Sequence, residues 1–249
     1  MKLALLSDLH ANRHALDACL DDARLRGTTQ YAFLGDLVGY GADPGVVVDR
    51  VMAMADQGAW VLRGNHDDLA VAPSLDISRA DRAGAPWTHA HLNKAQLDFL
   101  AKLPLVLRHE FMFLVHGSAR EPERWHYVQE GIGAAVSLEA ACTGGVTHVF
   151  GGHVHEQRLF FQGAARAVMP FEPTPGVPIP VLSHRRWLAT VGSVGQPRDG
   201  QADAMYALFD SVALQLTFVR VPYDHEAAAR AIRRAGLPEF NAARLASGQ

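Results

Sequence analysis

The sequence predicts an α/β fold with a largely parallel sheet, and three observations carry that expectation. Short aliphatic and β-branched runs alternate with amphipathic helical stretches over the first third of the chain. Each run passes at once into a small cluster of Asp, His, Asn and Gly, as strand ends in open α/β sheets do where they face a common site. The chain has 249 residues, 49% of them hydrophobic and 20% charged, which suits a globular protein with a substantial core.

Leu3-Ala4-Leu5-Leu6 reads as the first buried strand and delivers Ser7-Asp8-Leu9-His10. From Ala11 to Arg26, helical spacing sets Leu16, Cys19, Leu20 and Ala23 on one face, with Gly27 as the stop. Tyr31-Ala32-Phe33-Leu34 is the second strand, running into Gly35-Asp36, and Val46 to Ala55 the second helix. Trp60-Val61-Leu62 is the third strand, running into Gly64-Asn65-His66-Asp67. After residue 68 the pattern turns helical: Ala90 to Leu103 carries Leu92, Leu97, Leu100 and Leu103 and stops at Pro104. Phe111 to Val115 is a strand that delivers His116-Gly117-Ser118, and Gly131 to Ala141 a helix. Val146 to Phe150 is the strand before GGHVHEQ, residues 151–157.

Beyond it the chain is β-rich, with strands over Arg158–Gln162, Trp187–Val191, Met205–Asp210 and Leu214–Val221. The proline-dense stretch from Met169 to Pro180 is long for a plain connection and is expected as a flap over a site. Asp224 to Ala235 is helical, with Gly236 as its stop. With no repeat, linker or low-complexity segment, one domain over residues 1–249 with a helical tail from about 224 is the simplest organisation.

A net charge of −3 argues against a broad nucleic-acid-binding surface or a basic membrane-facing stripe. The two cysteines, Cys19 and Cys142, form no CxxC pair, which suits reduced thiols and a cytoplasmic chain. Asp8 cuts the opening apolar run too short for a signal peptide, and no stretch approaches the roughly 20 apolar residues of a membrane span.

The histidines carry the functional information. On an extended segment, residues i and i+2 point the same way, so His153 and His155 are expected to converge on one object. Asp8-x-His10, Gly35-Asp36, Gly64-Asn65-His66-Asp67, His116-Gly117 and Gly152-His153-x-His155 each follow an apolar run. Singly they are weak; in this order they form a strong pattern. It resembles that of the calcineurin-like metallophosphoesterase superfamily, DxH, GD, GNH(D/E), H and GHxH, over roughly residues 1–220 and without a missing ligand.

That resemblance implies a four-layer α-β-β-α sandwich in which two mixed β-sheets pack face to face. It also implies a binuclear centre in which Asp8, His10 and His155 hold one ion, Asn65, His116 and His153 hold the other, and Asp36 bridges them. His66, spare in that count, would stand at the phosphate and help the leaving oxygen depart, a task suited to a side chain that titrates near neutrality. The donor chemistry agrees. Two divalent ions less Asp8, Asp36 and a bridging hydroxide leave about one positive charge to attract a phosphate ester, and the paired ions activate the shared water. Imidazole, carboxylate and amide without thiolate suit manganese, iron, zinc, cobalt or nickel, manganese first among them, whereas calcium wants more oxygen ligands.

One departure bears on substrate. Phosphoprotein phosphatases and symmetric diadenosine tetraphosphatases of the superfamily carry GDxVDRG, whose second aspartate pairs with the catalytic histidine. Here Gly39 and Tyr40 replace that Asp-Arg pair, so His66 lacks its usual carboxylate unless Asp67 or another acid substitutes. The pattern is closer to small bacterial phosphodiesterases and asymmetrically cutting diadenosine polyphosphate hydrolases. The resemblance thus implies a metal-dependent phosphoesterase for small phosphodiesters or nucleotides, using the metal-bridged hydroxide as nucleophile, while the charge and composition give no membrane partner and no strong sign of duplex nucleic-acid binding. A serine/threonine-type phosphoprotein phosphatase is the alternative. A non-catalytic interaction scaffold on the same fold is the third reading, and the intact ligand set opposes it.

Among other residues, Arg13 could approach the phosphate, and Arg120 and His126 could help hold substrate. His184-Arg185-Arg186 offers charge to a polyphosphate tail but reads better as a solvated run. His109, His148 and His225 are expected to be structural or superficial, and the tight loop from Gly192 to Arg198 has no assigned role.

Overall fold

The apolar runs of the first third become parallel neighbours: β1 (Lys2–Leu6) pairs in parallel with β2 (Gln30–Phe33), and β2 with β3 (Trp60–Val61). A computed structural model of the chain describes residues 1–74, 84–163 and 167–249. On the other side of β1 lie β11 (Ala204–Asp210), β12 (Gln215–Val221) and β9 (Ile179–Pro180), all antiparallel, giving a sheet of order β3-β2-β1-β11-β12-β9. The second sheet repeats the plan. β5 (Met112–Val115), β6 (His148–Gly151) and β10 (Arg186–Val191) run parallel, flanked by antiparallel β4 (Val106–His109), β7 (Gln157–Gln162) and β8 (Val168–Phe171), in the order β4-β5-β6-β10-β7-β8.

Strand alternation explains why β1 is apolar throughout. Leu3 and Leu5 join Met112, Leu114, Phe150, Ala189, Phe209 and Phe218 in the core between the sheets. Ala4 and Leu6 face the other way, onto Leu16, Cys19 and Leu20 of α1 (Arg13–Leu25) and Val47, Val48 and Val51 of α2 (Pro44–Asp56). In the second sheet, Phe113, Val149 and Leu188 meet Ala134, Leu138 and Ala141 of α6 (Gly131–Ala141). Helices therefore cover the outer faces of two mixed sheets, the expected four-layer sandwich.

Several elements differ from the sequence reading. The helix expected over Ala90–Leu103 starts only at Lys94, as α5 (Lys94–Lys102), because Asn93 caps it there, and a separate α4 (Ala85–Ala90) ends where it was expected to begin. Asn93 Oδ1 accepts from the Gln96 N–H at 3.0 Å, and Gln96 Oε1 accepts from the Asn93 N–H at 2.9 Å, a reciprocal capping box. Helices α3 (Asn65–Val71) and α8 (Glu239–Ser247) and strand β4 had no counterpart in the reading, and α7 (His225–Arg234) closes the set. The proline-dense stretch is no simple flap. Its ends are edge strands of opposite sheets, β8 on β7 and β9 on β12, and edges are where proline is tolerated.

Candidate metal centre

The six parallel strands among the described residues open at one end, and their outgoing loops are knitted together by backbone hydrogen bonds. The Asp8 and His10 N–H groups donate to the Gly35 and Asp36 carbonyls, both at 3.0 Å. The Val194 and Gly195 N–H groups donate back to the Ser7 and Asp8 carbonyls at 3.0 and 2.9 Å. Asp67, one acid that could stand in as a partner for His66, spends its oxygens on backbone N–H groups. Its oxygens accept from the Asp36 and Gly64 N–H groups, each at 2.9 Å, and from those of Leu37 and Val38 at 2.9 and 3.3 Å. This acid locks the loop after β2 to the start of α3.

Within this frame five of the predicted residues adopt left-handed backbone: Asp8 (φ 54°), His10 (47°), Asp36 (54°), His153 (67°) and His155 (62°). Asp and His tolerate that region better than most residues, but it remains sparsely populated. The reading of His153 and His155 as alternating positions on an extended segment is thereby corrected. Strand β6 ends at Gly151, and two left-handed turns, with Val154 tucked into the interior between them, bring the imidazoles inward.

The predicted site residues meet in one buried cluster. One ligand atom from each of Asp8, His10, Asp36 and His155 lies within 4.8 Å of the others, and the same holds for Asp36, His116 and His153. Asp36 belongs to both groups. Asn65 joins the second through its Oδ1, 3.2 Å from His116 Nε2. His66 adjoins the cluster, its N–H donating to Asp36 Oδ1 at 2.8 Å.

Tautomers follow from the carbonyls that the outer ring nitrogens meet. Nδ1 of His10, His116 and His155 lies 3.1, 2.8 and 2.6 Å from the carbonyl oxygens of Val38, Leu34 and Gln196. A carbonyl only accepts, so each Nδ1 carries a proton, and in the neutral rings Nε2 presents a lone pair to the interior. The Nε2 atoms of His10 and His155 consequently face each other at 3.1 Å, and His155 Nε2 is 3.2 Å from Asp8 Oδ1. Asp8 Oδ1, Asp36 Oδ2 and His153 Nε2 are buried and find no hydrogen-bond partner among the described residues. Converging acceptors of this kind are costly unless a cation stands among them. The donor set fits divalent metal ions.

Electrostatics agree. Burial pushes the Asp8 and Asp36 carboxyls upward, but neighbouring imidazoles, His155 for Asp8 and His116 for Asp36, outweigh it and hold both below their ordinary range. Burial, reinforced by His116, brings His153 down to about 3 and keeps it neutral. Burial lowers His116 too, yet Asp36, 3.3 Å from its Nε2, more than offsets it and raises the group to about 9. A cation taking that position displaces the proton.

His66 stands against Gly39 and Tyr40. A Cβ on Gly39 would lie 2.6 Å from His66 Nδ1, and the Tyr40 ring centroid is 4.5 Å from that of His66. The position of the missing aspartate is thus filled by the imidazole itself. Of the other candidates, Arg13 pairs with Asp43 at 3.5 Å, and Arg185 lies over Phe161, 5.1 Å from its centroid, on β7. Arg120 and His126 line a cavity with Ser118 and Tyr127. His148 is structural, buried with Nε2 2.6 Å from the Val181 carbonyl. Two aromatic walls escaped the sequence reading because isolated aromatics carry no motif: Tyr127 stacks on His153 at 4.0 Å, and Trp125 meets His116 edge-on at 5.8 Å.

Comparison with known proteins agrees with the geometry. The family model described as calcineurin-like phosphoesterase matches residues 1–157, and the chain belongs to that family. Its structure resembles the crystal structure of a metallophosphoesterase from Sphaerobacter thermophilus, with 33% identity, a TM-score of 0.87 and coverage of 100% of both chains. A hypothetical protein from Pyrococcus horikoshii OT3 shares the fold at 21% identity and a TM-score of 0.79, over 100% of this chain and 98% of the other. An uncharacterized protein from Methanocaldococcus jannaschii is 31% identical over 253 residues, covering 99% of this chain and 98% of its own.

Proposed function

We propose that this chain is a binuclear metal-dependent phosphoesterase that hydrolyses small phosphodiesters or nucleotides. The observation that carries the proposal is the convergence of buried, partnerless acceptors from Asp8, Asp36 and His153 with the inward Nε2 atoms of His10, His116 and His155. In this reading Asp8, His10 and His155 hold one ion, Asn65, His116 and His153 the other, and Asp36 both. Manganese is favoured among the divalent metals that such donors suit. Two bound ions lower the pKa of a shared water towards neutrality and neutralise charge on phosphoryl oxygens.

The chain's own residues orient and protonate. Carbonyls of Val38, Leu34 and Gln196 hold the imidazoles in their tautomers, as hydrogen-bonded outer groups do in metal sites. His66 stabilises or protonates the departing oxygen. With Gly39 beside it in place of an acid, its ring is free of a carboxylate clamp, which favours phosphodiester or nucleotide substrates over phosphoproteins. We further propose that residues 1–249 act as one domain with α7 and α8 as its tail, and that the two free, buried cysteines reflect a cytoplasmic setting. Among the described residues no helix is long and apolar enough to cross a membrane.

The test is a substrate panel with the manganese-loaded enzyme. Bis-p-nitrophenyl phosphate or a dinucleoside polyphosphate should be hydrolysed, with activity lost on chelation and restored by metal. Indifference to all of them would overturn the proposal, and far faster turnover of phosphopeptides would transfer it to the phosphoprotein phosphatases.

A further inference from the structure

Five of the six parallel strands, β1, β2, β3, β5 and β6, end in loops bearing the predicted metal ligands. The sixth, β10, ends in the loop Gly192–Arg198, which has no counterpart in that ligand set. This loop is part of the same floor. Ser193 Oγ donates to the Asp8 carbonyl at 2.8 Å, the Gln196 carbonyl accepts from His155, and the Arg198 N–H donates to the His155 carbonyl at 3.2 Å. What the loop presents is a guanidinium. Arg198 Cζ lies 5.7 Å from the centroid of the Tyr40 ring, on which His66 also packs.

Arg198 is poorly satisfied for a cation so placed. Its Nη2 donates to Gln196 Oε1 at 2.9 Å, while Nε is buried and finds no partner among the described residues. Acids nearby are engaged elsewhere: Asp199 with Arg220, and Asp43 with Arg13. A second guanidinium approaches from the C-terminal helix. Arg244 of α8 sits over Phe240, with Nε donating to the terminal carboxylate of Gln249, and α8 is docked here by the Gly200 N–H donating to the Gly248 carbonyl at 2.8 Å and by Asn241 Nδ2 donating to the Tyr40 carbonyl at 3.2 Å. Arg198 and Arg244 repel each other, which lowers Arg244 after the larger effect of burial. Among the described residues no Asp or Glu pairs with either, and the one acid that Arg244 meets is the terminal carboxylate of Gln249. Two half-buried guanidiniums with no Asp or Glu between them carry more positive charge than the single terminal carboxylate offsets, and so form a site for a multivalent anion.

We propose that Arg198 and Arg244, set around Tyr40, form an anion subsite for a second phosphoryl group, the one carried by the leaving group of a pyrophosphate-linked nucleotide. The inference rests on the proposed phosphoesterase reading. His66 attends the departing oxygen there, and the guanidiniums lie beyond it with Tyr40 between, on the leaving-group side. Hydrolysis of a P–O–P link joins the water oxygen to the attacked phosphorus and breaks its bond to the bridging oxygen. That oxygen keeps the electron pair and receives a proton, leaving as part of a phosphate whose charge the two arginines meet. A diester with a single phosphorus has nothing to place there.

Titration calorimetry of the manganese-loaded full chain, at fixed free manganese, separates the two phosphate positions. Wild type should bind pyrophosphate more tightly than orthophosphate. Arg198→Ala and Arg244→Ala should each weaken pyrophosphate by about tenfold or more and leave orthophosphate within about twofold. Arg198→Lys, which keeps charge and bulk but loses the fork, should fall between and guards against misfolding. In kinetics, Arg198→Ala should raise KM for a dinucleoside polyphosphate by a similar factor and spare bis-p-nitrophenyl phosphate. Equal weakening of both anions, or of neither, would overturn the subsite. Arginine-dependent pyrophosphate binding by a chain that cleaves no phosphoester would preserve the subsite and sink the activity; cleavage of all substrates indifferent to both arginines would do the reverse.

Discussion

The parallel strands β1, β2, β3, β5, β6 and β10 and the antiparallel strands around them share two sheets and one core, yet their ends are built differently. Residues with left-handed backbone occur in both regions. Around the antiparallel strands they are Glu110 (φ 50°), between β4 and β5, and Leu214 (50°), between β11 and β12, ordinary hairpin positions. At the parallel ends they include Asp8, His10, Asp36, His153 and His155, all buried and all aimed at one point, beside Ala11, Tyr40, Glu121 and Trp125 farther along the same loops. At roughly 1 kcal/mol or more apiece, such backbone costs a sizeable share of a domain's stability of about 5–15 kcal/mol. The knitted loops, Asp67 with its four N–H donors above all, hold it in place. Strain and orphaned acceptors gathered at the same residues mark where the fold gives up stability for a site.

The sharpest way to break this contrast is Asp36→Asn. Asp36 belongs to both ligand groups, so the substitution should cost about a thousandfold or more in kcat of the metal-loaded enzyme, comparable with loss of a key transition-state charge partner. Elemental analysis should find less than the full complement of bound metal. Full occupancy with unchanged turnover would remove Asp36 from the centre. His66→Asn comes next. A general acid contributes typically 10²–10⁴-fold, so kcat should fall within that range for nucleotide leaving groups, and less for p-nitrophenolate, while bound metal stays constant. If metal were lost along with activity, His66 would be a ligand and the assignment of the others would need revision.

Chelation compares the two regions in the wild type itself. Ions that bind the folded chain alone stabilise it by RT ln(1 + [L]/Kd), about 2.7 kcal/mol at a hundredfold excess over Kd. Hydrogen exchange should localise the loss after chelation to the loops following β1, β2, β3, β5 and β6. Amides of β11, β12 and their hairpin should change only as much as global stability does. A uniform loss across both sheets would mean that the centre and the core form one cooperative unit.

The same division governs what the sequence revealed. The predicted ligands were legible because they follow apolar runs in a fixed order, and the runs themselves were legible because β1 is buried on both faces. The backbone that aims the ligands was not: nothing in His153-Val154-His155 distinguishes two left-handed residues from two alternating strand positions. Asp67 beside His66 suggested a side-chain partner, whereas its role is towards backbone N–H groups that a pattern of residue types does not display. Arg198 needed the topology, since only strand order shows that β10 is the sixth parallel strand. In the antiparallel region, proline density suggested a loop where Pro170 and Pro180 lie on sheet edges, and the Asn93–Gln96 capping box was present in the sequence but hidden within a continuous apolar spacing.

The finest comparison uses two glycines with similar backbone. Gly39 (φ 93°) lies at the centre and Gly176 (φ 80°) between β8 and β9, so alanine meets the same intrinsic penalty of about 1 kcal/mol at each. At Gly176 nothing lies within 4 Å of an added Cβ, and Gly176→Ala should show that penalty alone in chemical denaturation, with kcat untouched. At Gly39 the methyl group would sit 2.6 Å from Nδ1 of His66, and the ring, held by its backbone N–H on Asp36 and flanked by Tyr40, must move. Gly39→Ala should therefore cost a further 1–2 kcal/mol or so, and lower kcat with metal content intact, because the displaced group is the one that attends the leaving oxygen. Equal effects of the two substitutions on both stability and kcat would show that His66 adapts freely, and that the fit between Gly39 and the imidazole does not position it.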